Sequence, residues 1–268
     1  MSAKKYKTGL VLSGGGARGF AHLGVMQALN EAGIYPDVIS GTSAGALAGV
    51  MYCDGYKPKE ILKIMKASSR LDYMRPTLPR DGLLQITGII KILETHLRAK
   101  TFEELKIPLF VSVTDINNAK AVYFSRGKIL DAVIASASIP VLFKPVIIND
   151  NYYVDGGVLD NFPIRPIEGD CLFTIGSFVN PAGREKHING LIKIAVRSFM
   201  LSMAREVMEK SKKFDLFIAP PELKNYGILD PDEAEEVYDI GYNSTKKMLK
   251  DSDVRKLISE RLSEGTSD

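Results

Sequence analysis

Two glycine-flanked turns in quick succession constrain this chain more than any other feature. The first is Gly14-Gly15-Gly16-Ala17-Arg18-Gly19, and the second is Gly41-Thr42-Ser43-Ala44-Gly45. Each follows a short apolar run, Lys7–Leu12 or Val38–Ser40, and each leads into a helix-like stretch. After the first turn, Ala21, Val25, Ala28 and Ala32 fall on one helical face, with Gly33 suited to a C-terminal cap. After the second, the small residues of Ala44–Val50 suit a tightly packed helix. Strand, tight turn and helix repeated in this way is the signature of parallel strands joined by crossover helices.

The rest of the chain keeps that alternation. Helices are expected at Pro58–Arg70, Leu84–Leu97, Ile129–Ser138 and Leu191–Lys213, and strands at Pro108–Asp115, Val122–Phe124, Tyr152–Asp155, Cys171–Ile175 and Leu216–Ala219. Leu71–Gly82 holds two prolines and reads as irregular, and the segment after Ala219 reads as helical and charged. With 268 residues, 45% of them hydrophobic, the chain fits one α/β domain over 1–268, with 264–268 as a frayed tail. A net charge of +3 gives no argument for nucleic acid as a partner. The N-terminal apolar stretch is too short for a signal peptide, and no run approaches the ~20 residues that span a bilayer. Cys53 and Cys171 make no disulfide framework and have no metal-ligand spacing. These features point to a cytoplasmic protein that meets membranes peripherally.

The glycine loop fits G-x-G-x-x-G, a pattern shared with dinucleotide-binding turns. That reading also requires an acidic residue at the end of the second strand. Asp37 has the spacing but precedes Val38-Ile39-Ser40, the wrong end for a ribose contact. The more general use of the loop is to crowd backbone N–H groups toward one point beside a helix N-terminus. That arrangement suits the oxyanion of acyl transfer as well as it suits phosphate.

Gly41–Gly45 is G-x-S-x-G between strand and helix, the context of a nucleophile elbow. The turn lifts the Ser43 hydroxyl out of the sheet, and the Ala44 amide can join those of Gly15 and Gly16 in an oxyanion hole. A chance match, or Ser43 acting only as a helix cap, is the alternative. A serine nucleophile needs a base. Of the three histidines, only His187 completes the chain order serine, acid, histidine, and its neighbours are charged. Asp155, at the end of Tyr152-Tyr153-Val154 and followed by Gly156-Gly157, is the better partner, since the glycines let its carboxylate approach another group. A turn-shaping role for Asp155 is the alternative.

Together these residues resemble the patatin-like phospholipases, in particular their short bacterial members. The matching segments occur in order: Gly14–Gly19, Gly41–Gly45, Ala135-Ser136-Ala137-Ser138-Ile139-Pro140 with Phe143 and Pro145, and Asp155-Gly156-Gly157 with Asn161 and Pro163. The resemblance implies a three-layer α/β/α sandwich with a central, mostly parallel sheet. It implies a Ser43–Asp155 dyad without histidine, and an oxyanion hole in the glycine loop (Gly14, Gly15 and Gly16, with Ala44) supported by Arg18, Gly19, Gly41, Gly45, Gly156 and Gly157. It implies lipid acyl-ester hydrolysis through an acyl-enzyme, on a phospholipid or lysophospholipid, with no metal and no cofactor. Acyl transfer by the same dyad and a non-catalytic lipid-binding module are the alternatives. Ser136 and Ser138 read as core packing, and Pro140 and Pro145 as one wall of an acyl pocket.

Lys59, Lys63, Lys66 and Arg70 form a basic stripe at helical spacing beside Ile61, Leu62 and Met65. The stripe is either a solvated face or a contact for anionic headgroups. In Leu191–Lys213, apolar residues extend beyond one narrow stripe, which suits core packing, an acyl channel or an oligomer contact.

Overall fold

The computed structural model describes residues 4–67, 75–76, 84–181, 183 and 188–263. β1 (Tyr6–Leu12) is buried from Thr8 onward because it lies inside the sheet, paired in parallel with β2 (Val38–Thr42) on one side and β9 (Cys171–Ser177) on the other. β10 (Leu216–Ile218) extends the parallel set beyond β9, and β5 (Leu109–Asp115) extends it beyond β2. From β5 outward the sheet turns antiparallel. β6 (Lys120–Phe124) and β8 (Asn151–Asp155) both pair antiparallel with β5, and β7 (Val146–Ile148) pairs with β8. The order β10-β9-β1-β2-β5-β8-β7, with β6 off that path, is the mostly parallel central sheet expected. A separate two-residue ladder joins β3 (Arg75–Pro76) to β4 (Leu84–Gln85).

Side chains alternate across a strand, so one strand feeds two cores. Leu10 and Leu12 join the larger apolar cluster, whereas Val11 joins a second one with Val38, Phe162, Ile164 and Phe214. The sheet is therefore covered on both faces. The helices are α1 (Phe20–Glu31), α2 (Ala44–Cys53), α3 (Pro58–Lys66), α4 (Thr87–His96), α5 (Ile129–Ser136), α6 (Leu191–Ser211), α7 (Ala234–Met248) and α8 (Ser252–Ser263). α1 and α7 cross closely, since a Cβ at Gly24 would lie 2.0 Å from the Tyr238 carbonyl and one at Gly241 2.2 Å from that of Ala21.

Three expected boundaries differ for identifiable reasons. The helix expected from Leu84 starts only at Thr87, after the β4 ladder, and ends at His96. Beyond it the Asp54 carboxylate takes the amides of Arg98 and Ala99 at 3.0 and 3.1 Å, holding them out of the helix. α5 stops at Ser136, and the Ser138 carbonyl instead accepts the Asp155 amide at 2.9 Å. α3 is described as far as Lys66, so Arg70 lies outside the described residues, as do His187 and 264–268.

At β1 the strand order reverses: β2 and β5 lie on one side, β9 and β10 on the other. In open α/β sheets, ligands bind where this reversal opens a crevice at the strands' C-terminal ends. The segments leaving β1, β2 and β9 are Gly14–Gly16, Ser43 and Phe178–Asn180.

Candidate active site

Ser43 leaves β2 with φ 53° and ψ −119° and caps α2. A non-glycine residue in that region is strained by about 1–3 kcal/mol and persists only where its surroundings hold it. Those surroundings are explicit. The Ser43 amide donates to the Ser136 hydroxyl at 2.8 Å, and that hydroxyl donates to the Ser112 carbonyl at 2.7 Å. The hydroxyls of Thr42 and Ser112 both donate to the Asp160 carbonyl, at 3.0 and 3.1 Å. The glycines are required for space: a Cβ at Gly41 would lie 2.7 Å from the Gly45 carbonyl, and one at Gly45 2.4 Å from that of Leu12. A Cβ at Gly19 would meet the Cβ of Ala44 at 2.5 Å, so Gly19 lets the glycine loop close onto the elbow.

Asp155 ends β8, where the antiparallel pairing sets it opposite Val113 of β5. Its side chain is buried, accepts a hydrogen bond from the Gly157 amide at 2.8 Å and lies close enough to the Ser43 hydroxyl to be stabilised by it as a carboxylate. Burial pushes the carboxyl from its ordinary 3.8 up to about 7, against the opposing pull of the Gly157 amide and the nearby Ser43 hydroxyl. The two glycines that follow are again a matter of close approach. A Cβ at Gly156 would lie 2.3 Å from the Ser112 carbonyl, and one at Gly157 2.7 Å from Met203 Sδ of α6.

The glycine loop is fixed from three directions. The Gly14 amide donates to the Asn161 carbonyl at 3.2 Å, and the Ala17 amide to the Ile228 carbonyl at 2.8 Å. Arg18 is buried, and its guanidinium donates to the Tyr226 carbonyl at 2.8 Å and the Lys224 carbonyl at 3.5 Å. Arg18 thus anchors the loop to a distant segment. Because the Gly14 amide is engaged, Gly14 leaves the expected set of oxyanion donors, and Gly15, Gly16 and Ala44 remain. Ala44 opens α2, where an amide has no intrahelical partner. Asp37 accepts the Thr8 amide at 2.7 Å, at the entry to β2, so it faces away from the crevice as its sequence position implied.

Histidine is accounted for in two of its three positions. His22 is fully buried; its Nε2 donates to the Ser13 carbonyl and its Nδ1 accepts from the Ser177 hydroxyl, both at 2.8 Å. A carbonyl only accepts, which fixes this tautomer. Burial lowers its pKa to about 4, so the ring is neutral and braces the ends of β1 and β9. His96, at the end of α4, is half-buried, and its carbonyl accepts from Tyr56 at 2.6 Å. His187 lies outside the described residues.

Ser43 and Ala44 border an apolar cavity with about 860 Å³ of empty volume, part of it open to solvent. Leu23, Leu47, Ile61, Met65, Ile86 and Ile89 are among its walls. The segment after α5 does supply a wall, but through Ala137, Ile139 and Phe143 rather than Pro140 and Pro145. No described residue of α6 lines it.

Two contributions were missed in the sequence. Ser136, expected only to pack, holds the amide of Ser43. Asp160 is buried between the Tyr123 hydroxyl at 2.6 Å and Lys210 Nζ at 2.7 Å, and so ties α6 and β6 to the turn that follows Asp155. Neither has a local signal, since each partner comes from a remote segment.

A family model described as patatin-like phospholipase matches residues 10–167. The chain is 30% identical over 219 residues to an uncharacterised NTE family protein of Mycobacterium tuberculosis, a match covering 76% of this chain and 61% of that protein. It is 29% identical over 268 residues to Lysophospholipase NTE1 of Kluyveromyces lactis, covering 87% of this chain and 18% of the fungal protein. The chain therefore spans about three fifths of the first relative and under a fifth of the second. Among solved structures, VipD from Legionella pneumophila shares the fold, with a TM-score of 0.53 at 17% identity over 97% of this chain and 68% of VipD.

Proposed function

The chain belongs to the patatin-like phospholipase family, and from that premise we propose that it is a lipid acyl hydrolase of the phospholipase A or lysophospholipase type. The observation that carries the reading is a strained, buried serine beside a buried carboxyl, set at the edge of an apolar cavity. A fatty acyl chain is the ligand such a cavity suits, since apolar walls favour a group that water does not solvate.

In this mechanism the Asp155 carboxylate takes the Ser43 hydroxyl proton as Oγ attacks the ester carbonyl carbon. With its pKa near 7, Asp155 is matched to proton transfer at neutral pH without histidine. Negative charge collects on the former carbonyl oxygen, where the amides of Gly15, Gly16 and Ala44 donate to it. The intermediate collapses, the C–O bond to the leaving alcohol breaks, and Asp155 returns the proton to that alcohol. Water then attacks the acyl-enzyme, again losing its proton to Asp155, and the fatty acid leaves as Ser43 recovers its hydrogen.

The substrate in this reading is a phospholipid or lysophospholipid, met at an anionic membrane surface by peripheral contact. Among the described residues no helix is long and apolar enough to cross a membrane. The test is to treat the protein with a fluorophosphonate probe and to analyse products from a mixed lipid panel by mass spectrometry. Labelling at Ser43, and release of free fatty acid that Ser43→Ala abolishes, are the expected results. An unlabelled Ser43 would leave a non-catalytic lipid-binding module, and acyl groups appearing on a second alcohol would make the protein a transferase.

A further inference from the structure

α6 is apolar on the side that should be polar. Its inward side is ordinary: Met203 and Val207 are buried, and Val196 and Phe199 pack on the main core. On the opposite side Leu191, Ile194, Ser198 and Leu201 follow one another at helical spacing, and all four are exposed. The three apolar ones are 79%, 50% and 50% exposed. A surface helix normally turns charged or polar residues to water, and one that is apolar on both sides requires a second apolar medium.

The face continues to the catalytic turn. Val158 and Leu159, just beyond Asp155-Gly156-Gly157, are themselves exposed, and they share a groove with Ser202 and Met203. Met203 in turn packs where a side chain on Gly157 would stand. α6 is also fastened there by the buried Lys210–Asp160 ion pair.

We propose that this outward face of α6, with Val158 and Leu159, is the surface by which the protein docks onto an anionic lipid bilayer. Charge selects that occupant. Leu191–Met203 contains no carboxylate; Lys193 is exposed, and Arg197 is half-buried with its guanidinium donating to the Gly183 carbonyl, so the exposed apolar face has a positive and no negative border. Helices of this composition lie in the headgroup plane of anionic membranes. A symmetric contact between two copies would bring the same carboxylate-free, cationic stretch against itself. The basic stripe of α3 suits the role less well. Lys66 pairs with Glu235 of α7, and Glu235 and Asp239 line the same groove as Lys59 and Lys63. The proposal rests on the hydrolase reading for its purpose, since docking beside the Asp155 turn brings the catalytic site to its substrate.

The experiment compares wild type, Leu191→Ser/Ile194→Ser/Leu201→Ser and Lys59→Glu/Lys63→Glu. Sedimentation with phosphatidylcholine vesicles, with and without phosphatidylglycerol, reads docking, and hydrolysis of a short-chain water-soluble ester reads the chemistry. We expect wild type to prefer the anionic vesicles, and the α6 variant to lose about tenfold or more in vesicle partitioning. The α3 variant should bind close to wild type, and all three proteins should hydrolyse the soluble ester equally. The proposal is overturned if the α6 variant binds vesicles like wild type, if wild type binds neither vesicle, or if the α6 substitutions alter only the oligomeric state seen by light scattering. Failure of wild type to cleave the soluble ester, with docking as expected, would instead sink the hydrolase reading alone.

Discussion

Replacing Asp155 by asparagine should abolish hydrolysis and, above neutral pH, make the protein more stable. The buried carboxyl titrates near 7 in the folded protein against an ordinary 3.8. Below the lower value both folded and unfolded states hold the proton, and the side chain costs nothing extra. Between the two values only the folded state holds it, so each rise of one pH unit removes about 1.4 kcal/mol of stability. Over the full interval the loss is about 4 kcal/mol, and between about pH 5 and pH 8 it is about 3 kcal/mol. The amide of the Asp155→Asn variant carries no such penalty because it never ionises. Urea denaturation of both proteins across that range measures the difference directly. The variant should gain on wild type by about 3 kcal/mol from the acid to the alkaline end, with most of the change below pH 7. In the same interval wild-type kcat/KM should rise with pH and level off above about 7, as the base becomes ionised. A stability difference that does not vary with pH would refute the raised pKa, and with it the account of how a carboxylate replaces histidine as the base.

Ser136→Ala should leave the Ser43 amide and the Ser112 carbonyl unpaired inside the protein, at a cost of about 1–3 kcal/mol, with turnover falling more than KM rises. Restoration by Ser136→Thr would place the effect in the hydroxyl, and unchanged kinetics in Ser136→Ala would show that the elbow holds itself. Gly16→Ala should lose activity and stability together, since Gly16 has φ +55° and its Cβ would lie 2.1 Å from the Ile228 carbonyl; a fully stable, fully active variant would contradict this packing. His22→Ala should destabilise the fold by leaving the Ser13 carbonyl and the Ser177 hydroxyl unpartnered, without moving the acid limb of the pH profile. A shifted limb would instead make His22 part of the proton path.

The portion of the site legible in the sequence is the portion whose cause is local. A turn that must pass between a strand and a helix at 2.4–2.7 Å excludes side chains at its own two ends, so Gly41 and Gly45 appear as a fixed pattern around Ser43. Gly156 and Gly157 follow Asp155 for the same reason, with the Ser112 carbonyl and Met203 as the obstacles. The parallel sheet was legible too, because a short buried strand, a glycine turn and a helix-like stretch follow one another twice, at β1 and at β2. By contrast, Val146–Ile148 is apolar but only three residues long, and at the sheet edge it lacks the glycine turn and helix that mark β1 and β2.

What stayed hidden is the set of groups that hold the motif in place. Ser43 can keep its strained φ only while its amide has an acceptor, and that acceptor is a serine from α5. A buried serine in a run of small residues looks the same whether it packs or positions, since the difference lies in which backbone group faces it. The Gly14 amide shows the converse. From sequence it is one of three equivalent loop donors, yet the Asn161 carbonyl has already claimed it. That bond has its own consequence for the proposed oxyanion hole. It secures the first glycine to the segment that follows Asp155, so the loop carrying the proposed donors and the carboxylate proposed as base are held to one another. Donors aimed at developing charge act without reorganising only if they are fixed relative to the nucleophile and its base. The engaged amide of Gly14 is thus best understood as part of what fixes them.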